Sequence, residues 1–259
     1  MASDRSERAA QIKQREYLCE NLSFAGKEAF KRLRTNLQFS FPEDEEGCHV
    51  VGITSSQPAE GKSMSSINLA YSLAQLSKKV LLIDADMRRS SIDLRLGLEG
   101  KPGLSNLLTD VNNSGGTIKR YEPKDESVGF SVILAGDVPP NPSELLNSDR
   151  MARLIAKLRT LFDYIIIDLP PVGAVTDAQT VSGLVDGMLI VLREDHTSKY
   201  MLSDCVQQLK LTNTRILGFV MNGSVDGASK GSSYGKYGKY GKYYGSYSRY
   251  GNYSNYYSK

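Results

Sequence analysis

A lysine and a serine close a short segment whose order of residues is typical of phosphate-binding loops. The segment 56–63 follows the apolar residues 50–54 and precedes a helical pattern, a context in which backbone N–H groups converge on phosphate oxygens. Gly61 lets the backbone approach a nucleotide, Lys62 sets a cation against its phosphates, and the Ser63 hydroxyl is a ligand for Mg²⁺. The segment therefore predicts a P-loop that binds ATP and Mg²⁺. The residues expected to contact ATP there are Gln57, Pro58, Ala59, Glu60, Gly61, Lys62, Ser63 and Met64.

One position departs from the usual P-loop pattern, because Ser56 stands where glycine is normally found. Taken alone, the segment is therefore also compatible with an ordinary strand–turn–helix that carries a lysine on its surface. Acidic residues further along the chain help to decide between these two interpretations.

Aspartates follow two later apolar runs at the point where a strand would end. Asp84 and Asp86 come after residues 80–83, and Asp168 comes after residues 164–167. A single aspartate after a strand is usually a turn residue or a helix cap. Three aspartates on two strand ends indicate a site instead, because the carboxyl ends of parallel strands share the sheet edge where ligands bind. Carboxylates there orient the water molecules that Mg²⁺ keeps, so the sequence predicts a metal–nucleotide site.

Strand and helix patterns alternate along the chain and supply the elements that position these residues. The expected strands are residues 50–54, 79–83, 130–134, 164–167, 187–192 and 216–221, and the expected helices are residues 28–41, 63–76, 149–161 and 199–209. This alternation favours an α/β domain with a mostly parallel central sheet covered by helices on both faces. Pro170 and Pro171 cannot continue a strand, so the chain must leave the sheet just after Asp168.

The composition is that of a globular protein with one unusual end. The chain of 259 residues is 40% hydrophobic and 24% charged, which is enough to build a core. Its net charge is +3, and subtracting the six basic residues from Lys230 onward leaves −3 on residues 1–229. A nucleic-acid-binding body is therefore not expected. The chain divides into an exposed arm (1–20), a P-loop domain (21–227) and a tail (228–259).

Cysteine content and hydropathy exclude several other classes of protein. Cys19, Cys48 and Cys205 are odd in number and far apart, which argues against a disulfide framework or a zinc site and fits a reducing compartment. No run of about 18 apolar residues occurs, and residues 1–14 lack the apolar stretch of a secretory signal. The sequence therefore predicts a cytoplasmic protein without a membrane-spanning helix.

The tail contains only Gly, Ser, Lys, Arg, Asn, Tyr and one Ala, so it has no side chains for an aliphatic core and we expect it to be disordered. It carries ten of the chain's 15 tyrosines: Tyr234, Tyr237, Tyr240, Tyr243, Tyr244, Tyr247, Tyr250, Tyr253, Tyr256 and Tyr257. A sticky linker is one interpretation of this pattern. Lysines interleaved with tyrosines are also typical of segments that bind single-stranded nucleic acid, although that interpretation leaves the ATP site without a role.

Together these motifs resemble the Walker motifs of bacterial tyrosine kinases, the kinases of capsular and exopolysaccharide systems. The resemblance rests on the P-loop, the tyrosine tail, Asp84-x-Asp86-x-Arg88 and Ile167-Asp168-x-Pro170-Pro171. Residues 102–105 and 136–146 are also similar to stretches of that family. Each motif alone is common, whereas their combination with the tail is specific.

The resemblance extends to residues 27–37, which are similar to the Glu-x-x-Arg-x-x-Arg helix of the family. That helix mediates ring-like self-association, and the matching positions here are Glu28, Lys31 and Arg34. Lysine replaces the middle arginine and cannot repeat the bidentate fork of a guanidinium group, which predicts a weaker interface.

Fold, activity and partners follow from the resemblance as expectations. The fold is that of a P-loop NTPase related to the partition and division-site ATPases. The activity is ATP-dependent phosphorylation of protein tyrosines, including the enzyme's own tail between subunits, and it regulates the synthesis and export of capsule or exopolysaccharide. The implied assembly is a ring-like homo-oligomer, an octamer. The implied partners are a separate transmembrane activator (a polysaccharide co-polymerase) that recruits the kinase to the inner face of the plasma membrane, and sugar-nucleotide dehydrogenases or glycosyltransferases as further substrates.

Roles in phosphoryl transfer follow for the clustered polar residues, because this chemistry is mostly positioning and charge neutralisation. Lys62 is assigned to the phosphates, Ser63 to Mg²⁺, and Asp86 and Asp168 to Mg²⁺ through water molecules. Asp84 is the candidate for accepting the tyrosine proton, and the sequence leaves open whether Asp84 and Asp86 exchange these roles.

Four other residues invite an assignment. Asn222 ends the last strand, where related ATPases use asparagine to bind adenine. For Arg88 the sequence leaves three roles open: pairing with an aspartate, contacting phosphate, or contacting a neighbouring chain. His49 and His196 have no neighbours that suggest a ligand set or a catalytic triad, and we interpret them as ordinary surface or turn residues.

Two alternatives to a kinase remain from the sequence. An ATP-driven positioning switch of the partition or division-site class would place a signature lysine early in the P-loop, where Gln57 stands here, and has no use for a tyrosine cluster. A scaffold of a polysaccharide system with a degenerate ATP site would not keep Lys62, Ser63 and all three aspartates.

Overall fold

The computed structural model describes residues 18–42, 47–110, 115–123 and 128–223. The tail 228–259, with its expected disorder and its ten tyrosines, lies outside these ranges, as do residues 1–17 of the expected arm. We expected the last residues of that arm to be exposed, and the structure shows that two of them are not. Leu18 and Cys19 are buried, because Leu18 packs into the core and the Cys19 amide donates to Oδ1 of Asn68 at 2.6 Å. The exposed arm therefore does not reach residue 20.

Seven strands in the described part of the chain form a single sheet. They are β1 (His49–Ser55), β2 (Val80–Asp84), β3 (Ile118–Tyr121), β4 (Phe130–Ile133), β5 (Tyr164–Asp168), β6 (Gly187–Arg193) and β7 (Ile216–Asn222). Their order across the sheet is β3-β4-β2-β5-β1-β6-β7, and every neighbouring pair is parallel except β3 with β4. The mostly parallel sheet predicted from the sequence is confirmed.

Helices cover both faces of this sheet. They are α1 (Phe24–Gln38), α2 (Lys62–Ala74), α3 (Ile92–Leu96), α4 (Leu104–Thr109), α5 (Pro142–Leu146), α6 (Asp149–Arg159), α7 (Asp177–Thr180) and α8 (Lys199–Leu211), with short 3₁₀ turns at Cys19–Asn21 and Ser182–Leu184. One hydrophobic core lies on the side of α6 and α8, and a second lies on the side of α1 and α2. Across the described ranges, each helix is too short or too polar to cross a lipid bilayer.

The central strands read as unbroken apolar runs because both of their faces are buried. All five residues of β2 and all five of β5 are buried. The two strands pair in register, with Asp84 beside Asp168. Parallel pairing therefore brings the two acidic strand ends to the same edge of the sheet.

Two departures from the predicted elements have local causes. Helix α1 begins before the expected residue 28 because the Ser23 hydroxyl caps it, accepting from the Gly26 amide at 3.2 Å. It ends before residue 41, and Phe41 turns away to stack on His49 with 4.1 Å between ring centroids. Strand β3 was not predicted, because its sequence Ile-Lys-Arg-Tyr is half exposed and polar.

Candidate functional site

The backbone of the loop between β1 and α2 passes through left-handed conformations that most residues avoid. Ala59 and Gly61 adopt positive φ angles of 65° and 96°. A Cβ on Gly61 would lie 1.9 Å from Nδ2 of Asn222, so glycine is required both by conformation and by space. Helix α2 begins at Lys62, and its free N–H groups and positive dipole end lie at this loop. The predicted strand–loop–helix geometry of a P-loop is present.

Glu60 supports the loop from within, a role that its sequence position did not reveal. Its fully buried carboxylate accepts hydrogen bonds from the Ser56 hydroxyl at 3.0 Å, from the Gln57 amide at 3.1 Å and from the Thr197 hydroxyl. The serine that replaces the usual glycine therefore holds this carboxylate. Met64, another predicted contact residue, is partly buried against the core on the α2 side.

The end of β6 and the turn that follows it contact the same loop from outside. The Arg193 guanidinium donates to the Ala59 carbonyl at 3.1 Å, and the Gln57 side chain donates to the His196 carbonyl at 2.9 Å. A ring nitrogen of His196 lies 3.2 Å from the Pro58 carbonyl oxygen. His196 is thus a turn residue, as we expected, but one that contacts the P-loop, which no local pattern in the sequence could show.

Asn222, the candidate for adenine, lies against the P-loop at the end of β7. Its side-chain amide donates to the Glu60 carbonyl at 3.0 Å. The structure therefore places Asn222 beside the loop, and its contact with adenine stays a prediction.

The two acidic strand ends and the P-loop meet as the sequence predicted. Asp168 accepts from the Ser63 hydroxyl at 2.6 Å and from the Ser66 hydroxyl at 2.8 Å. Nζ of Lys62 lies 3.7 Å from Oδ2 of Asp86. Ser66 was missed, although it stands three residues after Ser63 and so shares its face of α2.

Burial sets the electrostatics of this cluster. It raises the pKa of Asp84 well above the ordinary range, and the negative charge of Asp168 adds to that effect. Hydrogen bonds from the Ser90 hydroxyl at 2.7 Å and from the Asp86 amide act in the opposite direction. Burial also raises the pKa of Asp168, while Lys62 and the two serines lower it. Because carboxylates outnumber cations here, the site favours a bound cation.

The donor set fits Mg²⁺ held together with a nucleotide. In the parts of the chain that the structure describes, no three or more His, Cys, Asp or Glu side chains are arranged to hold a metal ion by themselves. Mg²⁺ usually takes one or two carboxylates and completes its shell with phosphate oxygens and water. Ser63, Asp86 and Asp168 could therefore hold Mg²⁺ when phosphates are present.

Arg88 pairs with an aspartate, the first of the three roles that the sequence left open. Its Nε lies 3.1 Å from Oδ2 of Asp177, and its Nη2 donates to the Ser143 hydroxyl at 2.9 Å. Asp177 begins α7 and is completely buried. It had not been identified from the sequence, where it reads as an ordinary helix N-terminal residue.

The expected self-association residues divide between two environments on α1. Glu28 and Lys31 form an ion pair at 2.8 Å on the surface. Arg34 instead donates to the Ser72 carbonyl of α2 at 2.6 Å within the same chain. The predicted interface at these three residues stays a prediction, with Arg34 already engaged in holding α1 against α2.

Comparisons with known proteins agree with this geometry. A family model described as an AAA domain matches residues 49–217. Tyrosine-protein kinase YwqD of Bacillus subtilis is 35% identical over 208 residues, which are 80% of this chain and 84% of YwqD. The kinase domain of the Escherichia coli tyrosine kinase ETK superposes with a TM-score of 0.75 at 36% identity, covering 84% of this chain and 83% of that domain.

The fold is shared more widely than the kinases. A variant of McdA from Cyanothece, in its ATP complex, superposes with a TM-score of 0.55 at 25% identity, covering 68% of this chain and 71% of McdA. The predicted fold, that of a P-loop NTPase related to the partition and division-site ATPases, is thereby confirmed. The much closer likeness to YwqD and ETK, over most of the length of each, decides the family. The chain belongs to the bacterial tyrosine kinases and is a tyrosine-protein kinase.

Proposed function

We propose that this kinase transfers the γ-phosphoryl group of ATP to tyrosines of its own tail, with one copy modifying another. The observation that carries the proposal is the position of Asp84, a buried carboxylate with a raised pKa at the sheet edge that also holds the P-loop. A carboxylate whose pKa is raised is a stronger base, as the weakly acidic tyrosine hydroxyl requires. The ten tyrosines of the tail supply acceptors.

Each clustered residue has one task in this reaction. Lys62 and the amides of the P-loop neutralise the phosphates, and Mg²⁺, held by Ser63, Asp86 and Asp168, would supply further charge neutralisation. The tyrosine oxygen forms a bond to the γ-phosphorus as the bond to the ADP oxygen breaks. Asp84 takes the tyrosine proton, which ranks it above Asp86 as the base because Asp86 already faces the Lys62 cation. The task assigned to Asn222, which lies beside the P-loop at the end of β7, is to bind adenine.

Charge complementarity supports transfer between copies. The tail carries six positive charges from Lys230 onward and the rest of the chain carries −3, so a tail is attracted to the acidic site of a neighbour. Each phosphate adds about −1.5 to −2 charges, so about four modifications reverse the sign of the tail. We infer a cycle in which unmodified copies assemble into a ring and modified tails are expelled.

Phosphotyrosine mapping tests the acceptor and the direction of transfer. We expect a phosphatase-treated chain incubated with Mg²⁺ and ATP to gain phosphate on its tail tyrosines. A chain ending at Ser229 lacks these ten tyrosines and serves as the control. Mixing that active truncated chain with an inactive full-length Lys62→Met chain should place phosphate on the inactive tail, because only another copy can modify it. The readout is mass spectrometry, with every sample also fused to a cytoplasmic segment of a candidate membrane activator. Tight ATP binding without phosphotyrosine in any format would favour an ATP-driven positioning switch instead.

The assembly cycle has its own measurement. Size-exclusion chromatography before and after phosphatase treatment should show the unmodified chain as a large oligomer and the phosphorylated chain as a monomer. Exchange of Glu28, Lys31 and Arg34 for alanine should prevent the large form, with Arg32→Ala on the same helix as the control. The same elution volume for the modified and unmodified chains would contradict the cycle.

A cellular role in capsule or exopolysaccharide synthesis and export is supported by the family. We propose that a separate transmembrane activator brings the kinase to the inner face of the plasma membrane. Sugar-nucleotide dehydrogenases and glycosyltransferases are the proposed further substrates.

A further inference from the structure

Arg88 is a cation placed close in sequence to a carboxylate of the metal site. It follows Asp86 by two residues, and the Arg89 amide closes this turn by donating to Oδ1 of Asp86 at 3.0 Å. Arg88 therefore lies within the same turn as Asp86, and its long side chain begins within reach of the Asp86 carboxylate. A guanidinium group that turned towards Asp86 would compete with Mg²⁺ for the same oxygen atoms.

A buried carboxylate holds Arg88 in another direction. Asp177 accepts from Nε of Arg88 at 3.1 Å and from its Nη2 at 3.3 Å, which is the bidentate arrangement that fixes a guanidinium plane. The side chain of Asp177 has no exposed surface, whereas that of Arg88 is 38% exposed. The Ser143 hydroxyl donates to Oδ1 of Asp177 at 2.5 Å and accepts from Arg88. The guanidinium is thus fixed from α7 and α5 together.

We propose that Asp177 is a positioning residue, which draws the Arg88 guanidinium away from Asp86 and so keeps Asp86 available to Mg²⁺. Its charge is what matters, because an uncharged side chain of the same shape leaves the guanidinium without a counter-ion beside an acidic cluster. Arg88 would then pair with Asp86, and the affinity of the site for Mg²⁺ would fall. The inference rests on the proposed role of Asp86 as a Mg²⁺ ligand.

The Mg²⁺ dependence of ADP binding, measured by isothermal titration calorimetry on the full chain, tests the proposal without using activity. Asp177→Asn should raise the Mg²⁺ concentration that gives half of the full effect on ADP affinity by about fivefold, the size expected for one new ion pair at a partly exposed site. In the double variant Arg88→Gln/Asp177→Asn, which lacks the freed cation, this concentration should return to within about twofold of the unmodified chain. ADP binding without Mg²⁺ should change little in either variant.

Three outcomes separate the possibilities, once thermal melting shows that each variant is folded. An unchanged Mg²⁺ dependence in Asp177→Asn overturns the proposal. A raised Mg²⁺ requirement that persists in the double variant also overturns it, because Asp177 would then support the site only through packing. Asp86→Asn provides the reference. If this variant leaves the Mg²⁺ dependence unchanged, the proposed metal role of Asp86 fails. If Asp86→Asn shifts the Mg²⁺ dependence but Asp177→Asn does not, only the proposed role of Asp177 is contradicted.

Discussion

Lys62→Met is expected to lower the rate of tail phosphorylation by about 10²–10³-fold, the effect of losing one fixed charge from a phosphoryl-transfer site. The Lys62 side chain is only 10% exposed, and its Nζ lies 3.7 Å from Oδ2 of Asp86. Little water can therefore reach this position to take over the role of the missing ammonium group. Its removal leaves the phosphates and Asp86 without their compensating cation. Quantitative mass spectrometry of tail phosphotyrosine over time, with the activator segment present, measures the effect.

A matched control separates this effect from a general loss of positive charge. Lys157 is exposed on the outer surface of α6, so Lys157→Met should phosphorylate at the rate of the unmodified chain. Equal rates for Lys62→Met and the unmodified chain would mean that the P-loop lysine takes no part in transfer. Equal losses in both lysine variants would point to the overall charge instead.

Asp84→Asn is expected to abolish tyrosine phosphorylation and at the same time to make the nucleotide-free protein more stable. Asparagine keeps the shape of the side chain, and it can still accept from the Asp86 amide and donate to the Ser90 hydroxyl. It cannot accept a proton, so transfer loses its base. It also removes a negative charge that is fully buried next to Asp168, which should raise the free energy of unfolding by about 1 kcal/mol and the Tm by about 2–4 °C.

The sign of the pH dependence checks this reasoning. Because the pKa of Asp84 is raised in the folded state, its protonated form contributes stability at low pH, and that contribution is lost as the pH rises towards the folded-state pKa. The gain in Tm from Asp84→Asn should therefore be larger at pH 8 than at pH 5 and should shrink when Mg²⁺ and ADP are bound. Asp204→Asn, an exposed aspartate on α8, is the control. A gain that is the same at both pH values would contradict the buried charge as its cause.

The sequence was sufficient for the features that depend on local pattern. Buried parallel strands are apolar on both faces, so 80–83 and 164–167 could be recognised, and the aspartates that follow them had to share one edge. Strand β3 could not be predicted, because its pairing with β4 depends on a partner and its own residues are polar. The same limit explains why Asp177 and Thr197 were missed, since each acts through a contact with a distant part of the chain.

Contacts between distant parts of the chain also revealed roles that the sequence had not assigned to two of the residues it identified. Glu60 was predicted as a nucleotide contact from its position in the P-loop, and its side chain proved to brace that loop through Ser56 and Thr197. Arg34 was predicted to lie at an interface between copies, which stays a prediction, and within its own chain it contacts α2. In both cases the sequence identified the element that carries the residue but could not show which groups of the same chain its side chain contacts.

The edge position of β7 has a consequence for how the nucleotide site opens. Among the strands that the structure describes, β7 is bonded only to β6, and this pairing is interrupted between Met188 and Leu189. Phe219 and Met221 on β7 are more than half exposed. Such a strand is a natural place for local unfolding, which needs far less free energy than unfolding of the whole domain. Because Asn222 leaves Glu60 when β7 detaches, the P-loop can lose one of its supports while the central strands stay intact. Amide hydrogen exchange at this edge would then follow nucleotide occupancy rather than global stability.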